Sequence, residues 1–211
     1  SDDYVLMGVA GADAPAILVP LFTKLPSTAL AMTAVPGASL LRLDANRFQI
    51  IASPERAPEL WHAISRTATP AGRAIWDWLD IRGGIAIITP ATQEQFVPQM
   101  ANLDLIGGVS FSKGCYPGQE IVARMHYLGR LKQRMYLANI SGGEAPQPGD
   151  KLYSDEMGDQ ASGMIVNAAP SPHGGFDVLA VIQIESAKRG DVRWKSFSGP
   201  RLDFIQLPYQ L

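Results

Sequence analysis

The sequence has almost no cysteine: Cys115 is the single one in 211 residues. One thiol cannot close an internal disulfide, so an apolar core must hold the fold, and a reducing compartment, most simply the cytoplasm, is expected. Long apolar runs are missing as well. The longest, such as Tyr4 to Ala10 and Ile85 to Ile88, fall far short of the ~20 residues a helix needs to cross a bilayer, so no membrane partner is expected. There is no excess of positive charge. With 18 Lys and Arg against 20 Asp and Glu the formal net charge is −2, which argues against gripping nucleic acid by bulk electrostatics and leaves only a local basic patch open. Phosphate-loop and dinucleotide motifs are absent, because Gly72, Gly83 and Gly84 lack the required spacing. His62, His126 and His173 are scattered, so a metal site made by this chain alone is not expected.

What is present suffices for a packed protein. At 46% apolar and 18% charged residues the chain can bury a full core, as one large domain or two smaller ones. Ser1-Asp2-Asp3 runs at once into the strand-like Tyr4-Val5-Leu6-Met7, which reads as a start in the middle of a protein. Asp13 with a proline close behind predicts a helix from Ala14 that Pro20 kinks or ends. Ala29 to Val35, Ser39 to Leu43 and Arg47 to Ile51 predict strands, the last two as a hairpin. Ser53-Pro54 opens a helix with Leu60, Trp61 and Ile64 at helical spacing, and Ala74 to Leu79 is expected to return as a strand. Strand, helix, strands, helix, strand is the order of a ferredoxin-like split βαβ layer in an α+β fold.

Between Arg82 and Ser112 the sequence predicts loops and one helix, Gln93 to Met100, with Thr92 and Gln95 as a capping box. From Arg130 onward the character changes. Six short strand-like runs, Lys132 to Ile140, Lys151 to Ser154, Ser162 to Asn167, Phe176 to Ile184, Val192 to Phe197 and Leu202 to Leu207, alternate with Gly- and Pro-rich turns. They predict a small C-terminal antiparallel β-barrel over 130–211, with the boundary near Gly129 and a separate region over 1–129.

The lone cysteine lies in Lys113-Gly114-Cys115-Tyr116-Pro117-Gly118-Gln119-Glu120, between the strand-like Gly108 to Phe111 and a helix predicted over Gln119 to Leu128. Pro117 suits a first helical turn, and Gly114 and Gly118 supply the freedom of a sharp corner. A thiol at a helix start, with Lys113 two residues away, is biased toward thiolate. Inert packing is the alternative, since free cysteines are among the most buried residue types. On the predicted helix Glu120, Arg124 and Tyr127 share one side, as a surface ion pair or as the wall of a cleft. Ile121, Val122, Met125 and Leu128 form the apolar side. Arg124, His126, Arg130, Lys132 and Arg134 gather positive charge within eleven positions, a solvated face or a landing site for an anion. Trp61, Trp76 and Trp78 read as core or hinge packing.

The eight-residue stretch, continued by Ile121-Val122-Ala123-Arg124, resembles the signature of the YgfZ-type folate-binding proteins, relatives of the glycine-cleavage aminomethyltransferase (T protein). The likeness extends through Phe96 to Met100, Asn102-Leu103-Asp104, Gly107 to Phe111, Tyr127 and Gly129. It implies an aminomethyltransferase-type fold that binds tetrahydrofolate and ends in a β-barrel. It further implies support for the synthesis or repair of iron–sulfur clusters, and through them of tRNA-thiolating enzymes, so that any effect on tRNA is indirect. Cys115 would be the functional thiol, accompanied by Lys113, with Tyr116, Gln119, Glu120 and Arg124 as candidate ligand-binding positions and Gly114 and Gly118 as backbone positions of the motif. A true one-carbon transferase, moving an aminomethyl or methyl group, is the competing activity, and whether the chain is an enzyme stays open. Such proteins usually carry on the order of a hundred further residues upstream, a domain's worth, which contribute part of the folate cleft.

Overall fold

The computed structural model describes residues 3–114 and 117–211, and the chain separates into two compact units, Ser1–Gly72 and Arg73–Leu211. Gly129, the expected domain boundary, lies inside the second unit.

The first unit runs β1 (Val5–Ala10), α1 (Ala14–Leu18), β2 (Met32–Val35), β3 (Ala38–Arg42), β4 (Arg47–Ala52) and α2 (Ala57–Ser65). Strand, helix, three strands and helix follow in the expected order. The sheet is antiparallel throughout, in the order β1-β4-β3-β2, and the β3–β4 hairpin pairs Leu40 with Ile50 and Arg42 with Phe48. Because side chains alternate along a strand, Met7, Val9, Leu40, Phe48, Ile50 and Ala52 face one way, into a core shared with Leu18, Phe22, Leu60 and Ile64. α1 stops at Leu18, two residues before Pro20.

The second unit opens with a correction. Ala74 to Leu79, expected as a strand, lies within helix α3 (Arg73–Arg82). Its aromatic residues favour strands, but burial decides: Trp78 and Ile81, three apart, pack on one apolar cluster, while Arg73 and Asp77 pair across one turn outside. After a long irregular stretch come α4 (Gln119–Tyr127), β5 (Gln133–Ile140), β6 (Lys151–Tyr153), β7 (Gly163–Pro170), β8 (Phe176–Gln183), α5 (Ile184–Arg189), β9 (Arg193–Trp194) and β10 (Leu202–Ile205). All six expected strand regions form.

They make one antiparallel sheet in the order β10-β5-β8-β7-β6-β9. Its two ends meet, because Arg193 bridges Arg201 and Leu202 N–H donates to Val192 O at 2.9 Å, so the sheet curls shut as a small barrel. Ile140, Leu152, Ile165, Val178, Ala180, Ile182 and Trp194 fill the inside. On the outside Met135, Leu137, Leu179 and Val181 are covered by Ile81 and Trp78 of α3, by Phe96 and Met100, and by Leu207. This second, outer core explains why the chain from Arg73 onward belongs with the barrel. α3 is fixed further by Trp78, whose Nε1 donates to the buried Asp177 carboxylate of β8 at 2.7 Å.

Two elements expected between Arg82 and Ser112 are absent. Residues 93–100 form successive turns instead of a helix, and 108–111 form no strand. The Thr92 hydroxyl is bound backward, accepting from Thr89 N–H at 3.0 Å, so it does not cap a following helix, and Pro98 interrupts the run. Leu103 N–H bonds Pro98 O at 3.1 Å and Gly108 N–H bonds Leu103 O at 2.7 Å, which coils the backbone on itself. At Gly84 the fold tolerates only glycine: φ is +67°, and an added Cβ would lie 2.6 Å from the Tyr209 ring, whose hydroxyl donates to Gly84 O at 2.8 Å.

Candidate functional site

The signature ends in α4, whose N-cap is Gly118 at φ 82°, ψ −4°. That left-handed conformation is inexpensive for glycine alone, so the predicted strand-to-helix corner is, from its helical side, a glycine-made turn. No side chain caps the helix. Lys113, Gly114 and Pro117 are exposed on the approach to it. Cys115 and Tyr116 lie outside the described residues.

Glu120, Arg124 and Tyr127 share the exposed side of α4, as their spacing predicts, and Gln119 is partly covered. Their role as the wall of a cleft is part of the proposed function. The apolar side departs from expectation. Val122 is the buried residue of α4, whereas Ile121 is 62% and Leu128 84% exposed. His126 stacks on Phe111 with ring centroids 3.8 Å apart, and Tyr127 meets both rings edge-on.

Of the five cationic positions, Arg124, His126, Arg130 and Lys132 are exposed. Arg134 is not part of that face. Its guanidinium grips Asp104 through both oxygens, at 2.7 and 3.0 Å, with only 17% and 12% of the two side chains exposed. The same Nη1 donates to Gln99 O at 2.9 Å. Asn102, fully buried with φ at 58°, donates from Nδ2 to Met135 O at 2.8 Å, and Gln99 donates from Nε2 to Val122 O at 2.6 Å. Residues 99–104 thus bond to both β5 and α4, between the barrel and the signature helix. Sequence reasoning placed Gln99, Asn102 and Asp104 within the family likeness but gave them no role. Arg134 was assigned to the basic cluster. The pairing partners are 30 positions apart, beyond any local pattern.

No protein-family model matches the chain. The chain is 33% identical over 214 residues to the tRNA-modifying protein YgfZ of Pectobacterium atrosepticum, a match that takes in all of this chain and 64% of that protein. It is a homologue of the YgfZ proteins. The protein of the same name from Yersinia pseudotuberculosis is 34% identical over 213 residues, again across 64% of its length. The chain therefore spans a little under two thirds of these YgfZ relatives. Among solved structures, the glycine cleavage system aminomethyltransferase T from Bartonella henselae superposes with a TM-score of 0.71 at 15% identity, covering 98% of this chain and 60% of that one. That likeness shows the fold: an α+β architecture of aminomethyltransferase type. No helix among the described residues is long and apolar enough to cross a membrane.

Proposed function

We propose that the protein binds tetrahydrofolate and acts in the cytoplasm as an accessory factor for the synthesis or repair of iron–sulfur clusters, with Cys115 as its functional thiol. Its effect on tRNA is then indirect, through cluster-dependent tRNA-thiolating enzymes as protein partners. The observation that carries this reading is the match of the whole chain to 64% of the length of proteins named for tRNA modification, together with a signature that leads into α4 through a left-handed glycine. The residues present suit such a ligand. Exposed Arg124, Arg130 and Lys132 match anionic carboxylates, Tyr127 offers a ring face, and Glu120 and Gln119 offer polar partners for a heterocycle. Lys113 lies two residues from the motif's cysteine in sequence. Calorimetric titration of the protein with tetrahydrofolate tests the premise: saturable binding is expected, and its absence removes the folate reading.

A second reading draws support from the aminomethyltransferase fold. A one-carbon transferase would turn over a methyl or aminomethyl donor with tetrahydrofolate. Turnover that persists in Cys115→Ala favours the transferase, while loss of cellular function in Cys115→Ala without measurable turnover favours the accessory role.

A further inference from the structure

Gln99 is 1% exposed, and its two amide atoms fare unequally. Nε2 donates to the Val122 carbonyl of α4 at 2.6 Å, whereas Oε1 is buried with no hydrogen-bond partner. A buried acceptor without a partner lowers stability, and an apolar side chain of equal length would remove that cost. What the amide supplies and a methionine cannot is direction. It reaches one carbonyl of the signature helix from a segment whose own seat is fixed, because Gln99 O is held by Arg134, Arg134 by Asp104, and neighbouring Asn102 by the β5 backbone. Val122, whose carbonyl the amide reaches, is also the buried residue of the helix.

We propose that Gln99 is a positioning residue that sets where α4, the helix into which the signature leads, sits against the barrel. The structural part of this inference stands on the geometry alone. Its functional consequence rests on the reading of Cys115 as the working thiol. The bond also gives the amide a specific role: a polar group retained for placement at some expense in stability.

The test compares wild type with Gln99→Met by three readouts: hydrogen exchange of the α4 and β8 amides, the rate of Cys115 alkylation by iodoacetamide, and the urea midpoint. The chain's single cysteine makes alkylation site-specific. Gln99→Met is expected to hold or raise the urea midpoint and leave β8 protection unchanged. It should speed α4 exchange about tenfold, as loss of one ordinary hydrogen bond allows, and change the alkylation rate several-fold. Unchanged α4 exchange and alkylation would overturn the proposal. So would equal loosening of α4 and β8 with a lower midpoint, which marks Gln99 as merely structural. Should Gln99→Met not fold, Asp104→Asn, which weakens the Arg134 grip on the Gln99 backbone, must speed α4 exchange relative to β8; no change there also overturns it. Failure of wild type to bind tetrahydrofolate counts against the folate reading alone and leaves the exchange result standing.

Discussion

Strand β8 and helix α4 are nearly the same length, eight and nine residues, yet they are held in opposite ways. From Asp177 to Ile182 every residue of β8 is buried, with Val178, Ala180 and Ile182 facing the barrel interior and Leu179 and Val181 facing the layer beneath α3. On α4, Val122 is buried while Ile121 and Tyr127, and Leu128 just beyond it, are exposed. Hydrophobic burial scales with area removed from water, so the free energy of the second unit is concentrated in the barrel. Helix α4, into which the signature leads, accepts a directed bond at Val122 O from Gln99, whose own backbone carbonyl is held by the Arg134–Asp104 pair.

The comparison is broken most forcefully at β8. Leu179→Ala should cost about 2–5 kcal/mol of unfolding free energy, read by urea denaturation, because the side chain is fully buried and its removal leaves a cavity. A cost near that of a surface change would show that the outer layer does not support the barrel. Next in size, Asp104→Asn should cost about 1–3 kcal/mol, since the mostly buried Arg134 guanidinium loses its charged partner. Gly118→Ala should cost about 1 kcal/mol by forcing a Cβ into a left-handed backbone, with the loss visible first as weaker amide protection in α4.

A pH series sharpens the picture. Burial raises the Tyr209 hydroxyl above its usual 10.0, outweighing the Asn102 hydrogen bond and Arg134, which lower it. With the folded value above the unfolded one, the contribution is fully present below about pH 10 and is lost as pH rises through the raised value. The urea midpoint of wild type should therefore fall more steeply between about pH 9 and 11 than that of Tyr209→Phe. An identical slope would contradict the role given to Tyr209 over Gly84. Smallest of all, Glu120→Gln, on the exposed side of α4, should change stability by less than ~0.5 kcal/mol while testing its part in ligand binding by calorimetry.

Much of the barrel was legible in the chain because its signal is local. Short β-branched runs such as Ser162 to Asn167 alternate with Gly and Pro turns, and no distant information is needed to read them. Helix α4 was legible for the same reason, from Pro117-Gly118 and the helix-forming residues after it. What local pattern could not show is which face of an element meets something else. Trp78 looked like a strand residue until the β8 carboxylate of Asp177 gave its indole a partner 99 positions away. Ile121 and Leu128 read as part of an apolar side by spacing, but nothing in α4 itself reveals that Val122 is the buried residue. The Thr92 capping box failed because the hydroxyl had a nearer partner in Thr89. Local spacing groups Arg134 with the basic cluster because its partner Asp104 lies 30 positions away. The named roles of Cys115 and Tyr116 rest on the signature, as these residues lie outside the described ones.

The proposed role of Cys115 as the working thiol is tested most directly in cells. In cells that lack their own YgfZ protein and are deficient in thiolated tRNA, wild type should restore the thiolated fraction, and Cys115→Ala, expressed and folded to the same level, should not. Full restoration by Cys115→Ala would contradict the account.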